Sequence, residues 1–464
     1  MSISRRNFLT NGLAVGLGFY GLQKFAHTPL KAANSKQMLN FKAGYGELIK
    51  DPKGILDLPK GFSYKIISAA GKQMFDGYTV PTKMDGMATF MIGGKTVIIR
   101  NHEIDPGAFG TGAFGKNNEL LKRIDKKLIY DNGFEDTVAL GGTTTIIYDT
   151  NTQKVEKEFL SLIGTLRNCA GGPTPWNSWI TCEETVVTKS DKFMKNHGYN
   201  FEVPATINPK IAEPIPLIEM GRFNHEAVCI EPKSGIVYQT EDAHDGLIYR
   251  YLPNQKGNLA KGGKLQALAI KGQKSYDTRN WGAESNNHIT IKNQRYLVEW
   301  VDLDNVNPSE DDLRLRGLNK GAAKFARGEG MWFGNNEVYF ACTNGGAKKV
   351  GQVFRYIPSD FEGTIKEKDN PGTLELFIES ENSDIIRNCD NLTVSPWGDV
   401  ILCEDDDSPR IVGVTPKGEI YHIAHNVGYK SELTGGCFSP DGSTFFVNIQ
   451  HAGFTLAITG DWKK

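Results

Sequence analysis

Six short apolar runs end in polar pairs, and four of the pairs carry carboxylates: Glu103, Glu183 with Glu184, Glu241 with Asp242, and Glu404 with Asp405. The other two runs end at Thr343-Asn344 and Gln450-His451. If the runs are equivalent strands, their ends converge on one face of a ring and bring these carboxylates into a small volume. Like charges that close cannot all stay ionised without compensation, so either some face solvent or cations sit among them. Oxygen ligands with little histidine suit calcium or a ferric-type ion better than zinc. Two further residues could join such a centre. Cys169 precedes Ala170-Gly171-Gly172-Pro173, where a bare backbone lets a ligand approach closely. Glu329 lies between two glycines, next to Arg327, whose planar fork matches two phosphate oxygens. The plainer readings are acids that solubilise loop ends, a buried core thiol, and a surface Arg–Glu pair of little worth.

The elements that must position these residues read as strands. The chain holds 51 glycines in 464 residues, above the usual ~7%, without a three-residue period. Excess glycine without low complexity means many tight turns between short strands. Turns such as Gly93-Gly94-Lys95 and Ser439-Pro440-Asp441-Gly442 open several runs. Return strands that end at proline, Gly246 to Pro253 and Gly351 to Pro358, follow two of them. Strand, turn and strand, repeated with variable insertions, predicts an all-β fold, a six-bladed β-propeller with irregular insertions between blades. The six runs are expected as its inner strands. The long gap before Tyr339 could hide a further blade around Tyr296 to Val301, and helical periodicity is confined to the N-terminus and Lys116 to Lys127.

Composition excludes other classes. A net charge of −1 gives no field to attract nucleic acid or an anionic membrane, and 39% hydrophobic residues are enough for a sizeable core. The N-terminus reads as an address: Arg5-Arg6, with Phe8, precedes a short glycine-interrupted apolar run to Leu22. This pattern predicts a twin-arginine export signal over residues 1–35, with no membrane span. The protein is expected to meet the twin-arginine export machinery and to work in the periplasm or as a secreted, monomeric protein. The seven cysteines are too widely spaced for a zinc site and are expected as mostly free, buried thiols.

Several segments together resemble the PhoX-type alkaline phosphatase family. They include Arg167 to Trp176 running on to Glu184, Gly221 to Ala227 with Thr240-Glu241-Asp242, Ala326 to Trp332, Asp390 to Val394, and Phe438 to Gly442 with Asn448 to His451. The resemblance implies a catalytic domain over residues 36–464 that hydrolyses small phosphomonoesters. It also implies an iron (Fe3+) and calcium (Ca2+) cluster that supplies an oxo or hydroxide nucleophile. The family's iron-ligating cysteine falls on Cys169. Carried onto this chain, the catalytic residues are Arg327 and Glu329. The metal ligands are Cys169, Glu184, Glu226, Glu241, Glu329, Asp242, Asn391 and Glu404; His102 and His225 read equally as outer donors or as satisfied structural histidines. A calcium-dependent propeller hydrolase such as a lactonase, or a non-catalytic binding propeller, would share the blades without needing Cys169.

Overall fold

Alternating apolar residues, broken every few positions by glycine, asparagine or proline turns, leave the chain little option but antiparallel hairpins. The computed structural model describes residues 37–463 apart from 109, 135–138 and 191. The export signal expected over residues 1–35 lies outside the described residues. Contacts divide the chain into residues 1–37 and one compact unit, Met38–Lys464.

The unit opens with β1 (Leu48–Ile49), β2 (Leu56–Pro59) and β3 (Ser63–Ala69). Then come β4 (Met84–Ile92), β5 (Lys95–His102), β6 (Gly141–Asp149) and β7 (Lys154–Thr165), which pair in order as one sheet. A three-stranded sheet contains β8 (Asn168–Pro173), β9 (Ser178–Glu183) and β10 (Asn200–Pro204). Next are β11 (His225–Ile230), β12 (Val237–Glu241), β13 (Ile248–Pro253), β14 (Gly263–Ile270) and β15 (Arg295–Asp302). After a helix, α1 (Leu313–Lys320), come β16 (Gly328–Gly334), β17 (Glu337–Cys342), β18 (Gln352–Ile357) and β19 (Thr373–Glu379). The chain ends with β20 (Cys389–Val394), β21 (Val400–Glu404), β22 (Arg410–Val414), β23 (Ile420–Asn426), β24 (Leu433–Phe438), β25 (Thr444–Ile449) and β26 (Phe454–Thr459).

The fold is all-β and propeller-like. β11–β14 and β16–β19 are successive antiparallel runs, fused into one nine-stranded sheet because β15 pairs with both β14 and β19. Tyr296 to Val301 is thus a bridging outer strand and opens no separate sheet. The two ends of the unit close the ring: β3 completes the sheet of β24–β26, and β2 extends the sheet of β20–β23. Lys116 to Lys127 forms only short 3-10 turns. The α-helix forms instead within the charged segment after Glu310, where Gly321 stops it in a left-handed cap with φ 108°.

The innermost strands differ from the sequence expectation. The six apolar runs are β5, β9, β12, β17, β21 and β25, each the second strand of its sheet. The ring is lined one place further in. Among β4, β8, β11, β16, β20 and β24, each touches the next and the last returns to the first. Several of these strands carry glycine where their backbones nearly meet at the centre. A Cβ on Gly172 would stand 1.9 Å from the Val228 carbonyl oxygen, and one on Gly330 would stand 2.6 Å from the Leu392 nitrogen. The cores instead fill the spaces between sheets, for example Phe325, Phe340 and Phe354 beside Tyr356.

The close approach at the ring sets a mutational expectation. Gly172→Ala should lower unfolding stability by about 2–3 kcal/mol through overpacking, measured as an earlier urea midpoint at unchanged slope. An unchanged midpoint would show that the inner strands do not meet as described.

Candidate metal centre

Each innermost strand carries a β-bulge at one shared position. Pairing skips two residues after Met84, Asn168, His225, Gly328, Cys389 and Thr434. A bulge turns an extra residue out of the ladder and re-aims its side chain. The first residue turned out is, in chain order, Asp85, Cys169, Glu226, Glu329, Asp390 and Gly435. Five of these six positions thus bring an anion-forming side chain to the ring.

A second layer comes from the strands behind. Behind each inner strand one residue donates its backbone N–H to the carbonyl of the residue just before that strand or its first pair. The pairs are Glu103 to Lys83, Glu184 to Arg167, Asp242 to Asn224, Thr343 to Arg327, Asp405 to Asn388 and Gln450 to Glu432. This hydrogen bond fixes a corner in every sheet. Lys83, Arg167, Arg327 and Asn388 hold their corners with φ of 51°, 44°, 48° and 44°. Left-handed backbone costs a non-glycine residue about 1 kcal/mol or more, and such strain gathers at functional sites.

The two layers overlap in three groups. Cys169, Glu184 and Glu226 offer ligand atoms within 4.8 Å of one another, as do Glu226, Glu329 and Asp390, and Asp390, Asp405 and Glu432. Glu226 and Asp390 are each shared by two groups, so the three form a chain. Cys169, Glu226 and Glu329 are buried, while Asp405 is exposed, so the chain runs from the floor of the ring to its mouth. Below it Met87, Met331, Trp332 and Leu392 line a space of about 20 Å³, room for about one water.

Burial dominates the electrostatics. It raises the Glu226 carboxyl well above the ordinary range, with Asp390 and Glu184 adding repulsion. Glu329 rises through burial and the charges of Asp242 and Asp390, opposed by the Arg327 guanidinium, and Asp85 rises beside Glu103 and Glu432. Glu184 is pushed up to about 8 and Asp390 to about 7. The Cys169 thiol is pushed up by burial and by Glu226, and it lies 3.3 Å from the His225 carbonyl oxygen. One buried oxygen, Glu329 Oε1, accepts no hydrogen bond among the described residues although Arg327 Nη2 stands 3.0 Å away. Crowded carboxylates, an unsatisfied buried oxygen and a thiol form a donor set that fits cations.

The sequence-predicted residues divide. Cys169, Glu184, Glu226 and Glu329 come together as above. Asp242 instead takes Arg327 in a fork, at 2.8 Å to Nε and 2.8 Å to Nη2. The side-chain amide of Asn391 donates to Asp390 at 2.8 Å, and its oxygen accepts from the Gly435 backbone. Glu241 and Glu404 are supports. Glu241 accepts from the Tyr249 hydroxyl at 2.7 Å and from the Leu247 N–H. Glu404 grips Arg410 at 2.7 and 2.8 Å and accepts from the Arg387 N–H. Side chains alternate along a strand, so these two point away from the layer that Asp242 and Asp405 join. Among the described residues, the rings of His102 and His225 bond within the ring wall, through Thr82, Thr144 and the Gly221 carbonyl. All seven cysteines are buried and unpaired.

Asp85, Asp390, Glu432, Arg167 and Lys83 belong to this geometry and escaped the sequence reading. The available signal was a spacing in which an acid or cysteine follows a corner residue by two, as in Lys83-Met84-Asp85, Arg167-Asn168-Cys169, Arg327-Gly328-Glu329 and Asn388-Cys389-Asp390.

The chain matches the family model for alkaline phosphatase PhoX over residues 43–153 and 134–453. It belongs to the PhoX alkaline phosphatase family. Membership carries the family's activity, phosphomonoester hydrolysis. The chain is also similar to the solved structure of Pseudomonas fluorescens PhoX in complex with vanadate, a transition-state analogue. The TM-score is 0.62 at 17% identity, and the match covers 88% of this chain and 96% of that one. A gluconolactonase from Xanthomonas campestris matches at a TM-score of 0.38 and 8% identity, over 90% and 98% of the two chains, too distant to bear on function. No curated protein sequence matches significantly. Among the described residues no helix is long and apolar enough to cross a membrane.

The wall next to Cys169 rests on a buried charged triad. His197 donates to Glu183 at 2.6 Å and stands 3.3 Å from Asp131, and all three side chains are fully buried. Burial opposes the imidazolium, but the two carboxylates outweigh it and lift its pKa to about 9. A raised histidine stabilises the fold fully below its unfolded value of ~6.5 and loses that contribution as pH climbs through about 9. His197→Gln should therefore destabilise metal-free protein by about 3 kcal/mol near pH 6. The gap should narrow as pH passes 9, in denaturant titrations at several pH values. A gap that does not depend on pH would contradict a charged His197.

Proposed function

We propose that this phosphatase works with an iron and calcium centre held by the three linked groups, on a propeller counted as six blades. The observation that carries the reading is the sharing of Glu226 and Asp390 between neighbouring groups, which suits bridging carboxylates between adjacent cations. Cys169, with Glu184 and Glu226, would hold an iron-type ion, because a thiolate favours iron and needs a cation to be deprotonated. The all-oxygen group of Asp390, Asp405 and Glu432 suits calcium. Asp242, Asn391, Glu241 and Glu404 are assigned to positioning instead. When bound, these cations supply Lewis-acid polarisation of the phosphoryl oxygens and activation of the attacking oxygen.

The chain's own residues do the rest. Asp242 holds the Arg327 fork in place, and Arg327 orients the phosphoryl group and offsets charge on its equatorial oxygens. Glu329, between Arg327 and the buried groups, ties the guanidinium to the ligand layer. The glycine-rich inner strands and the apolar floor close one end of the site, so substrate and water enter from the mouth. The twin-arginine pair Arg5-Arg6 places the mature, monomeric enzyme outside the cytoplasm, which suits a protein exported after its cations are inserted.

Cys169→Ala should abolish both bound iron and p-nitrophenyl phosphate hydrolysis. Arg327→Ala should keep the metals and lose about 10²–10³ in turnover. Metal analysis and kinetics on the exported protein check both, and full activity in the Cys169 variant would end the iron–thiolate reading. Cation binding should also release protons, because at neutral pH Glu184, near 8, is mostly protonated and Asp390, near 7, is half protonated. Calcium affinity of metal-free protein should therefore climb as pH rises from 6 through 8, by up to about tenfold per pH unit for each proton displaced. Calorimetry in buffers of different ionisation enthalpy checks this, and a flat pH profile would contradict it.

A further inference from the structure

We propose that Arg167 is a second guanidinium for the substrate's phosphoryl oxygens, the counterpart of Arg327 on another wall of the ring. The inference rests on the phosphatase reading and deepens it. Arg167 and Arg327 occupy the same corner of two different sheets, one residue before β8 and one before β16. Each accepts the same backbone hydrogen bond, from Glu184 and Thr343 respectively. Both are left-handed, with φ of 44° and 48°, and both side chains are about one-third exposed, at 30% and 34%.

The corner does not itself require arginine. Asn388 fills it with the same φ of 44°, and asparagine adopts left-handed backbone more readily than arginine does. Arginine there accepts strain without a backbone benefit, so its side chain is what the position holds. That side chain stands at the mouth. Arg167 Nη2 lies 2.8 Å from Glu103 and also bonds Glu184, while Nη1 lies 2.8 Å from the half-exposed Asp105. Arg167 Nε donates to the Glu184 carbonyl oxygen at 3.0 Å, whereas Arg327 engages Asp242 through Nε and Nη2 and Glu329 through Nη2.

Glu184 and Glu329 each belong to a proposed cation group and each is also held by one of these arginines. The two groups are linked through Glu226. A tetrahedral anion above Glu226 therefore has a guanidinium on each side. As cations take up the carboxylate charge, each fork is left with donors for phosphoryl oxygens, the partner that a planar guanidinium matches best.

The test uses metal-loaded, full-length protein. Arg167→Ala should retain iron and calcium while kcat/KM for p-nitrophenyl phosphate and the affinity for inorganic phosphate each fall about 10- to 100-fold. Added guanidinium should restore part of both, and Arg167→Lys, with charge but no fork, should fall between. The proposal is overturned if the alanine variant keeps wild-type phosphate affinity and kcat/KM. It is equally overturned if that variant loses metal with no guanidinium rescue, which would make Arg167 a counter-ion only. Should the alanine variant fail to fold, wild-type values in Arg167→Lys overturn it. A wild-type protein that hydrolyses no phosphomonoester would sink the phosphatase reading instead. Phosphate calorimetry on loaded wild type and Arg167→Lys then still decides, a weaker lysine variant supporting the clamp and equal affinities overturning it.

Discussion

The repulsion among carboxylates gathered at the centre of the ring is the constraint on which the other features depend. Asp85, Glu226, Glu329 and Asp390 reach that centre from four different inner strands, and burial lifts all four carboxyls above their ordinary range. A buried, unpaired charge costs several kcal/mol. The ring would relax unless something held these groups together. The inner strands supply the mechanical half of the answer. Their glycines let backbones meet, and the shared bulge aims one side chain per strand inward. The electrostatic half comes from Arg167 and Arg327 at the mouth and from the proposed cations between the carboxylates.

Support behind the centre follows the same logic. Glu183, Glu241 and Glu404 sit one residue before the site-facing layer and are saturated by His197, Tyr249 and Arg410. Glu183 and Glu404 also accept the N–H of the residue before a corner, Leu166 and Arg387. The fixed backbone geometry of Arg167 and Asn388 is thus held from both sides, by a ladder hydrogen bond and by a buried carboxylate. Function and stability share residues here, because a corner that slipped would displace both a mouth-facing side chain and the bulge residue two positions on.

The outer part of this architecture was legible from residue order. The runs ending at Glu103, Glu184, Asp242 and Asp405 are apolar enough to read as strands, and Cys169, Glu329 and Arg327 stand out beside glycine. The inner strands were not legible, because Gly86, Gly171, Gly172, Gly330 and Gly435 remove the side chains by which a strand is recognised. With them went Asp85 and Asp390, whose only signature is the two-residue step from a corner. Glu241 and Glu404, expected as ligands, make their contacts with Tyr249 and Arg410 instead, for a related reason. An acidic pair at a strand end does not reveal which member faces inward, and that parity is set by the bulged partner.

The central claim is that the linked carboxylates and Cys169 form one metal centre. Anomalous X-ray diffraction at the iron edge, on crystals of the exported protein, tests it most directly. The account predicts an anomalous peak that appears only above the edge, within bonding distance of the Cys169 sulfur and a Glu226 oxygen, with cation density along Asp390 toward Glu432 whose anomalous signal does not change across the edge. Iron peaks elsewhere, or none in protein that hydrolyses phosphomonoesters, would contradict it.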